Sequence, residues 1–264
     1  MILTLPQLHS MRKIILERIM YMKSRGKNYY LFMPPSKQTV YPEYLPTKYY
    51  KNYKKENTMM RQLMTFLAND TIFKHHVVDP TSVLVNQLKN GSYPLYCKND
   101  MHWNAYGAFY GYNYFFKQIS EQHPEMKPYE MRDFNIKEKE DNAGDLATQL
   151  LLHNIYKRKV YDFKLKKGVN YSLEIIHGKY VYPLYHTVNS NKKLPKALVF
   201  RDSFTQDLIP FLSLHFSDAL YIWNQEFDID MIEEKDPDYV IQEITELFIY
   251  HLLQINDTRI QLEN

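Results

Sequence analysis

Apolar positions near the start of the chain recur with helical spacing. Leu8, Met11, Ile15, Ile19 and Met22 step by three and four, with Arg12, Glu17, Arg18 and Arg25 left for the wet side. The spacing predicts an amphipathic helix over Leu8–Arg25, ended by Gly26 in the usual stop position. Asn28–Met33 (NYYLFM) follows as a short, nearly continuous apolar run, the kind buried on both faces of a parallel sheet. Four more runs share that character: His76–Asp79, Lys196–Phe200, Ala219–Ile222 and Tyr239–Gln242. Helical patterns lie between or after most of them, over Asn57–Ala68, Thr81–Asn90, Ala105–Ser120, Gln206–Phe216, Ile229–Lys235 and Thr245–Gln254. Asp79-Pro80-Thr81 reads as a helix start, with a capping side chain and a proline near the first turn. Strands alternating with helices predict an α/β fold, a parallel sheet covered on both faces within one domain over residues 1–264. Two regions interrupt the alternation. Met33–Tyr53, rich in proline and tyrosine, predicts a long loop leaving the first strand. Residues 160–188 carry β-favouring residues around Gly168 and Gly178 and predict a small β insertion.

Composition changes this picture little. Among 264 residues glycine is scarce, at 7, and tyrosine abundant, at 24, which suits either sugar-binding surfaces or a biased genome. A formal charge of +3 with dispersed lysines argues against nucleic-acid binding. The single cysteine, Cys97, excludes an intrachain disulfide and a thiolate metal site. No apolar run is long enough to span a membrane, and the residues before the first helix are too few for a signal peptide. The histidines, His75 and His76 included, lack metal-site spacing, so neither a metal nor another cofactor is expected.

Two segments carry the candidate chemistry. Val199-Phe200-Arg201-Asp202-Ser203-Phe204 places a serine where an apolar strand gives way to a helix, the edge at which open α/β sheets bind ligands. There, helix-end amides could hold an oxyanion; the same serine would serve equally as an N-cap. Asn99-Asp100-Met101-His102-Trp103-Asn104 sets a carboxylate two positions from an imidazole. In an extended segment residues i and i+2 share a face about 6.5–7 Å apart, so Asp100 could orient His102 toward a nucleophile. Alternatively, Asp100 caps the helix that follows.

Tyr96–Gly107 (YCKNDMHWNAYG) followed by Ala197–Phe216 (ALVFRDSFTQDLIPFLSLHF) resembles the SGNH-like domain of the alginate O-acetyltransferase family, including its DHHW group. Pro34–Pro46, Gly144–Ala147 (GDLA), and Pro237–Glu243 with Glu246 fit the same pattern in the same order. The resemblance implies an SGNH-hydrolase-like sheet, with Ser203 as nucleophile, His102 as base and Asp100 as its orienting carboxylate. It implies acetyl transfer through a serine acyl-enzyme to hydroxyls of a bacterial exopolysaccharide or cell-wall polymer. An O-acetyl esterase and a non-catalytic polysaccharide-binding subunit are the alternatives. It further implies an extracytoplasmic location, a membrane-bound acyltransferase that supplies acetyl groups, and any membrane anchor lying outside this sequence. Two positions depart from the wider pattern. Met101 stands in the second place of DHHW, expected to face away from the site. Arg201 replaces the glycine that precedes Asp-Ser in the broader hydrolases.

Around these three residues, Asp202 is expected to hold the nucleophile turn. Arg201 would steady an oxyanion, bind an acidic sugar or pair with a carboxylate. Asn224 is a candidate oxyanion donor. Trp103 and Trp223 offer faces for sugar stacking, although Trp103 could instead pack beneath His102. Lys37 and Tyr41, in the loop after the first strand, either contact the polymer or brace the loop.

Overall fold

The computed structural model of the protein describes residues 2–51, 53, 57–168, 170–177 and 182–254. Helix α1 (Leu5–Ser24) opens on a capping box in which the Thr4 hydroxyl and the Gln7 side chain satisfy each other's amides. Gly26 ends it at φ +68°, the left-handed conformation a side chain resists. Strand β1 (Asn28–Phe32) leads into three short helical turns, α2 (Lys37–Val40), a 3₁₀ turn at Pro42–Tyr44 and α3 (Thr47–Tyr50), where a plain loop was expected. After these come α4 (Met59–Leu67), α5 (Thr71–His76), β2 (Val77–Val78), α6 (Thr81–Asn90) and α7 (Ala105–Ser120). The last two match their sequence-based limits. Asp79 Oδ1 accepts from the Thr81 amide and Asn104 Oδ1 from those of Tyr106 and Gly107, which fixes both starts.

The remaining elements are β3 (Phe134–Asp141), α8 (Asp145–Gln149), β4 (Arg158–Leu165), β5 (Tyr171–Ile176), β6 (Leu184–Asn189) and β7 (Lys196–Arg201). They continue with α9 (Ile209–Leu212), β8 (Asp218–Trp223), α10 (Ile229–Lys235) and β9 (Tyr239–Glu243). A seven-stranded sheet runs β2-β1-β9-β7-β8-β6-β5. Its pairs from β2 to β8 are parallel, and β6 and β5 join antiparallel. The fold is therefore mixed α/β with a mostly parallel sheet between helices, as the alternation predicted.

The expected insertion over residues 160–188 is not one unit. Its first strand, β4, pairs with β3 in a separate antiparallel hairpin, while β5 and β6 extend the main sheet. Gly178 lies outside the described residues. Alternation along the strands splits the core in two. Tyr29, Leu31, Leu198 and Phe200 pack under α1 and α4 against Met11, Ile15 and Leu63. Tyr30, Phe32, Val199 and Ile241 meet α7 and the β3–β4 hairpin, through Phe109, Phe115, Phe134 and Phe163. Burying each such side chain contributes roughly 1.5–3 kcal/mol, so both layers fix the sheet edge where β7 and β9 end. Among the described residues no helix is long and apolar enough to cross a membrane.

Candidate active site

Ser203 follows the end of β7 and opens a 3₁₀ turn, Ser203–Asp207, rather than the first turn of a long helix. Pro210 is the reason. It has no amide to donate and its ring collides with the carbonyl four residues back, so the predicted helix over Gln206–Phe216 breaks and restarts as α9 with proline in its first turn. Asp202 fastens the turn, as expected. Its Oδ1 accepts from the Phe204 amide at 2.9 Å, and its Oδ2 accepts from the Thr245 amide and hydroxyl at 2.9 and 2.7 Å. The Asp202 amide in turn donates to Glu243 Oε2, which also accepts from the Thr205 hydroxyl. Burial, reinforced by the charge of Asp202, drives the Glu243 carboxyl well above the usual range.

Asp100 and His102 sit on a bend, not on the extended segment the spacing suggested. Asp100 Oδ1 accepts from both the His102 amide (3.0 Å) and its Nδ1 (2.7 Å), so one oxygen sets both the backbone turn and the ring. On the far side of the ring, Nε2 lies 2.7 Å from Ser203 Oγ, across a sequence separation of 101 residues. The three predicted side chains thus meet in one line.

Several residues hold that line, and most were not legible beforehand. Arg158, delivered by β4, donates from Nη1 to Asp100 Oδ2 at 2.7 Å and from Nη2 to Asp141 at 3.2 Å. Lys37 donates to the carbonyls of Cys97, Lys98 and Asp100, and so clamps the bend. Glu246 secures the Lys37 loop in turn, accepting from the Ser36 amide and hydroxyl and from the Thr39 hydroxyl. Gly144 presses its backbone on Asp100: a β-carbon there would lie 2.5 Å from Asp100 Cβ. Its neighbour Asp145 brings Oδ2 to 3.1 Å from His102 Nδ1, a second carboxylate on the same nitrogen. In the sequence, Lys37 is a candidate for the polymer or the loop, and Glu246 and the GDLA stretch lie within the family pattern; Arg158 carries no such signal, and none of these says what the residues touch.

The electrostatics follow from these contacts. Burial alone would raise Asp100, yet its hydrogen bonds to His102 and the charges of His102 and Arg158 hold it well below the usual carboxylate range. Burial alone would lower His102; the bond to Asp100 and the charges of Asp100, Asp145 and Asp207 outweigh it and raise the imidazole. Asp100, His102 and Asp145 bring three potential ligand atoms within 4.8 Å of one another. With Arg158 already against Asp100, that cluster is organised around the proton on Nδ1.

The other candidates divide. Arg201 is fully buried, lies over the rings of Tyr185 and Trp223 and donates to the Asp202 carbonyl. Among the described residues its hydrogen bonds go to backbone carbonyls and to no carboxylate, so it braces the end of β7. Trp103 is likewise buried, packed against Phe204 and Phe32, with Nε1 donating to the Phe204 carbonyl; it offers no sugar face. Trp223 does reach the site, but its ring stacks on Tyr182 and carries Arg201, so protein groups occupy it. Tyr41 accepts from the Leu95 amide and stacks on Tyr44, bracing the loop as Lys37 does. Asn224 lines the site with its Oδ1 taken by the Glu226 amide, which leaves its NH2 to donate. Met101 does not face away; it lines the same wall beside Ser203.

No curated protein matches this chain. Among solved structures, it is similar to a DHHW family protein from Eubacterium siraeum, at 14% identity over 90% of this chain and 84% of that one, with a TM-score of 0.66. It is also similar to Bacillus cereus PatB1, at 17% identity over 92% and 91%, TM-score 0.66. The O-acetyltransferase domain of Pseudomonas putida AlgJ follows at 15% identity over 97% and 89%, TM-score 0.59. At these identities the likeness is one of fold. Residues 5–166 match the family described as "SGNH hydrolase-like domain, acetyltransferase AlgX", a span that includes Lys37, Asp100, His102, Asp145 and Arg158 and stops short of Ser203. That match covers more than half of the sequence, and the chain belongs to the AlgX family of SGNH hydrolase-like acetyltransferase domains.

Proposed function

We propose that the protein is an O-acetyltransferase that works through an acetyl-Ser203 intermediate and passes the acetyl group to a polysaccharide hydroxyl. The observation that carries this reading is the unbroken series from Asp100 Oδ1 to His102 Nδ1 and from His102 Nε2 to Ser203 Oγ, each step 2.7 Å. In the first half-reaction Ser203 Oγ attacks the donor's carbonyl carbon as its proton moves to His102 Nε2. The donor's bond to its leaving group breaks, and that group takes the proton. In the second half-reaction a sugar hydroxyl gives its proton to Nε2 while its oxygen attacks the acyl carbon. Ser203 Oγ then leaves and recovers the proton. Asp100, held ionised by its bonds to His102 and by Arg158, keeps the tautomer with hydrogen on Nδ1 and stabilises the imidazolium. In this reading the Ser203 amide and the NH2 of Asn224, which lines the same cavity as Ser203, supply the oxyanion donors.

Family membership supports the acetyl chemistry. It also motivates, by relation alone, an extracytoplasmic setting and a membrane-bound acyltransferase as acetyl supplier. The test is mass spectrometry of oligosaccharides incubated with an activated acetyl ester, beside Ser203→Ala. Acetylated sugar that appears at the expense of free acetate, and is lost in the variant, is expected. Acetate release indifferent to oligosaccharide would make it an esterase. A fluorophosphonate that labels Ser203 no faster than it labels the His102→Ala protein would overturn the serine mechanism.

A further inference from the structure

Between β3 and β4 the chain leaves a cluster of aliphatic side chains in water. Leu150, Leu151 and Ile155 are 68, 81 and 71% exposed, and Leu146 and Tyr156 beside them are exposed as well. Leucines exposed singly are ordinary; a cluster of large apolar side chains on one turn marks a contact surface. The turn is firmly built. Helix α8 ends in a Schellman motif, the Leu152 amide donating to the Ala147 carbonyl at 2.8 Å and the Leu151 amide to that of Thr148 at 3.0 Å. The amides of Ile155 and Tyr156 both donate to the Leu152 carbonyl, which closes the turn on itself. Leu151 stands at φ +58°, the left-handed position that glycine or asparagine ordinarily fills at a helix end. It is also the most exposed large apolar side chain among the described residues. Neither the backbone nor the core gains from a leucine there, so its use lies outside the chain.

Charge and chemistry say what meets it. Residues 146–161 include Lys157, Arg158 and Lys159 and no carboxylate. Arg158 is taken up by Asp100 and Asp141, and Lys159 by Glu138. Lys157 is exposed and makes no ion pair among the described residues; Asp141, whose charge it feels, is already met by Arg158. The patch is aliphatic at its crown, with a tyrosine and a lysine where it joins β4. Protein interfaces draw their anchors from tyrosine, tryptophan and arginine and under-use leucine. Aliphatic tips above a tyrosine and a cation suit a bilayer boundary, where the ring lies at headgroup depth and the ammonium meets lipid phosphates.

We infer that residues 146–157 dock the protein peripherally on a bilayer containing anionic lipid, with Leu150, Leu151 and Ile155 entering the acyl boundary. Asp145 precedes this turn and Arg158 follows it, so docking holds the candidate active site close to the lipid surface. Bilayer docking is independent of the acyl-transfer reading, and its test needs no turnover. The whole chain is sedimented with vesicles of mixed phosphatidylcholine and phosphatidylglycerol. Binding is expected, several-fold weaker on phosphatidylcholine alone and at high salt. Leu151→Asn suits the left-handed backbone while removing the aliphatic tip. It should raise the thermal midpoint yet weaken vesicle binding by roughly ten-fold or more. Ile155→Trp should gain quenching by brominated lipid beyond that of the parent, whose tryptophans are Trp103 and Trp223. Binding to neither vesicle overturns the inference, as does binding that Leu151→Asn leaves unchanged or that is equal on the two lipid compositions. Self-association of the parent, abolished by Leu151→Asn and unaccompanied by vesicle binding, overturns it too and makes a second copy the occupant.

Discussion

Gly144→Ala is expected to disable the site although none of the three reacting residues is replaced. Gly144 has φ −71° and ψ 172°, a conformation that alanine adopts freely, so backbone strain contributes nothing. The whole effect is the added methyl. Built on the existing backbone, it would stand 2.5 Å from Asp100 Cβ, 2.6 Å from the Asn99 carbonyl oxygen and 2.8 Å from Asp100 Oδ2. Carbon atoms pack at roughly 3.5–4.0 Å, so one partner must retreat by about 1 Å. Two of the three obstacles are backbone or Cβ atoms, which cannot swing aside as a long side chain would. The bend carrying Asp100 is pinned by Lys37 and Arg158, so the displacement passes into the carboxylate and through it into the His102 ring. A misplacement of about 1 Å at a reacting group costs on the order of 100-fold in rate, and overpacking costs about 1–3 kcal/mol of stability. The assay is the rate of fluorophosphonate labelling of Ser203 together with p-nitrophenyl acetate turnover, with thermal unfolding read in parallel. A folded Gly144→Ala protein that turns over within a factor of two or three of the parent would show that the Gly144–Asp100 contact does not set the catalytic geometry.

Three further outcomes are expected. Asp145→Asn removes one of the charges that raise His102, so the acidic limb of the labelling rate, lost as the imidazole protonates, should move to lower pH; a limb that stays put or moves upward refutes the role of the second carboxylate. Lys37→Met strands three carbonyls and should lower kcat/KM by up to roughly 100-fold, and Lys37→Arg should fail to restore it, because a planar fork cannot meet three acceptors converging on one point; full activity in either variant contradicts the clamp. His215 is buried, stacked 3.9 Å from the Phe116 ring centroid and paired with the Tyr112 hydroxyl, and burial lowers its imidazole from 6.5 to about 3. The unfolded chain therefore binds the extra proton between those values, and the stabilisation present above 6.5 is lost as pH falls, at up to about 1.4 kcal/mol per unit. In urea titrations His215→Phe should show a shallower acid slope than the parent; an identical slope refutes it.

What the sequence disclosed, and what it withheld, follows the range of the interactions involved. Helices α6 and α7 were legible because their caps, Asp79 and Asn104, lie within a few residues of the amides they satisfy. Ser203, His102 and Asp100 were legible as residue types in a familiar order, although the i, i+2 reasoning supposed an extended segment where one oxygen of Asp100 in fact closes a bend. The apolar pattern after Ser203 runs on as a helix would, whereas Pro210 divides it into a 3₁₀ turn and α9. Strand β3 was missed because its exposed, highly charged sequence has no apolar alternation. Its cross-strand pairs, Lys139 with Asp162 and Glu138 with Lys159, exist only once β4 lies beside it. The roles of Lys37, Arg158 and Arg201 share that difficulty: a cation in a sequence looks the same whether it meets a ligand, a carbonyl or an aromatic ring.

The guanidinium that steadies Asp100 arrives on a ribbon that, among the described residues, pairs only with itself and leans on α7 through Phe134 and Phe163. Support of the orienting carboxylate is thereby delegated in part to a peripheral appendage, while the nucleophile belongs to the central scaffold. Changes in the ribbon's length or tilt can adjust reactivity while the scaffold stays intact, so divergence among relatives should concentrate there, and transplanting the ribbon between them offers a direct way to exchange their behaviour.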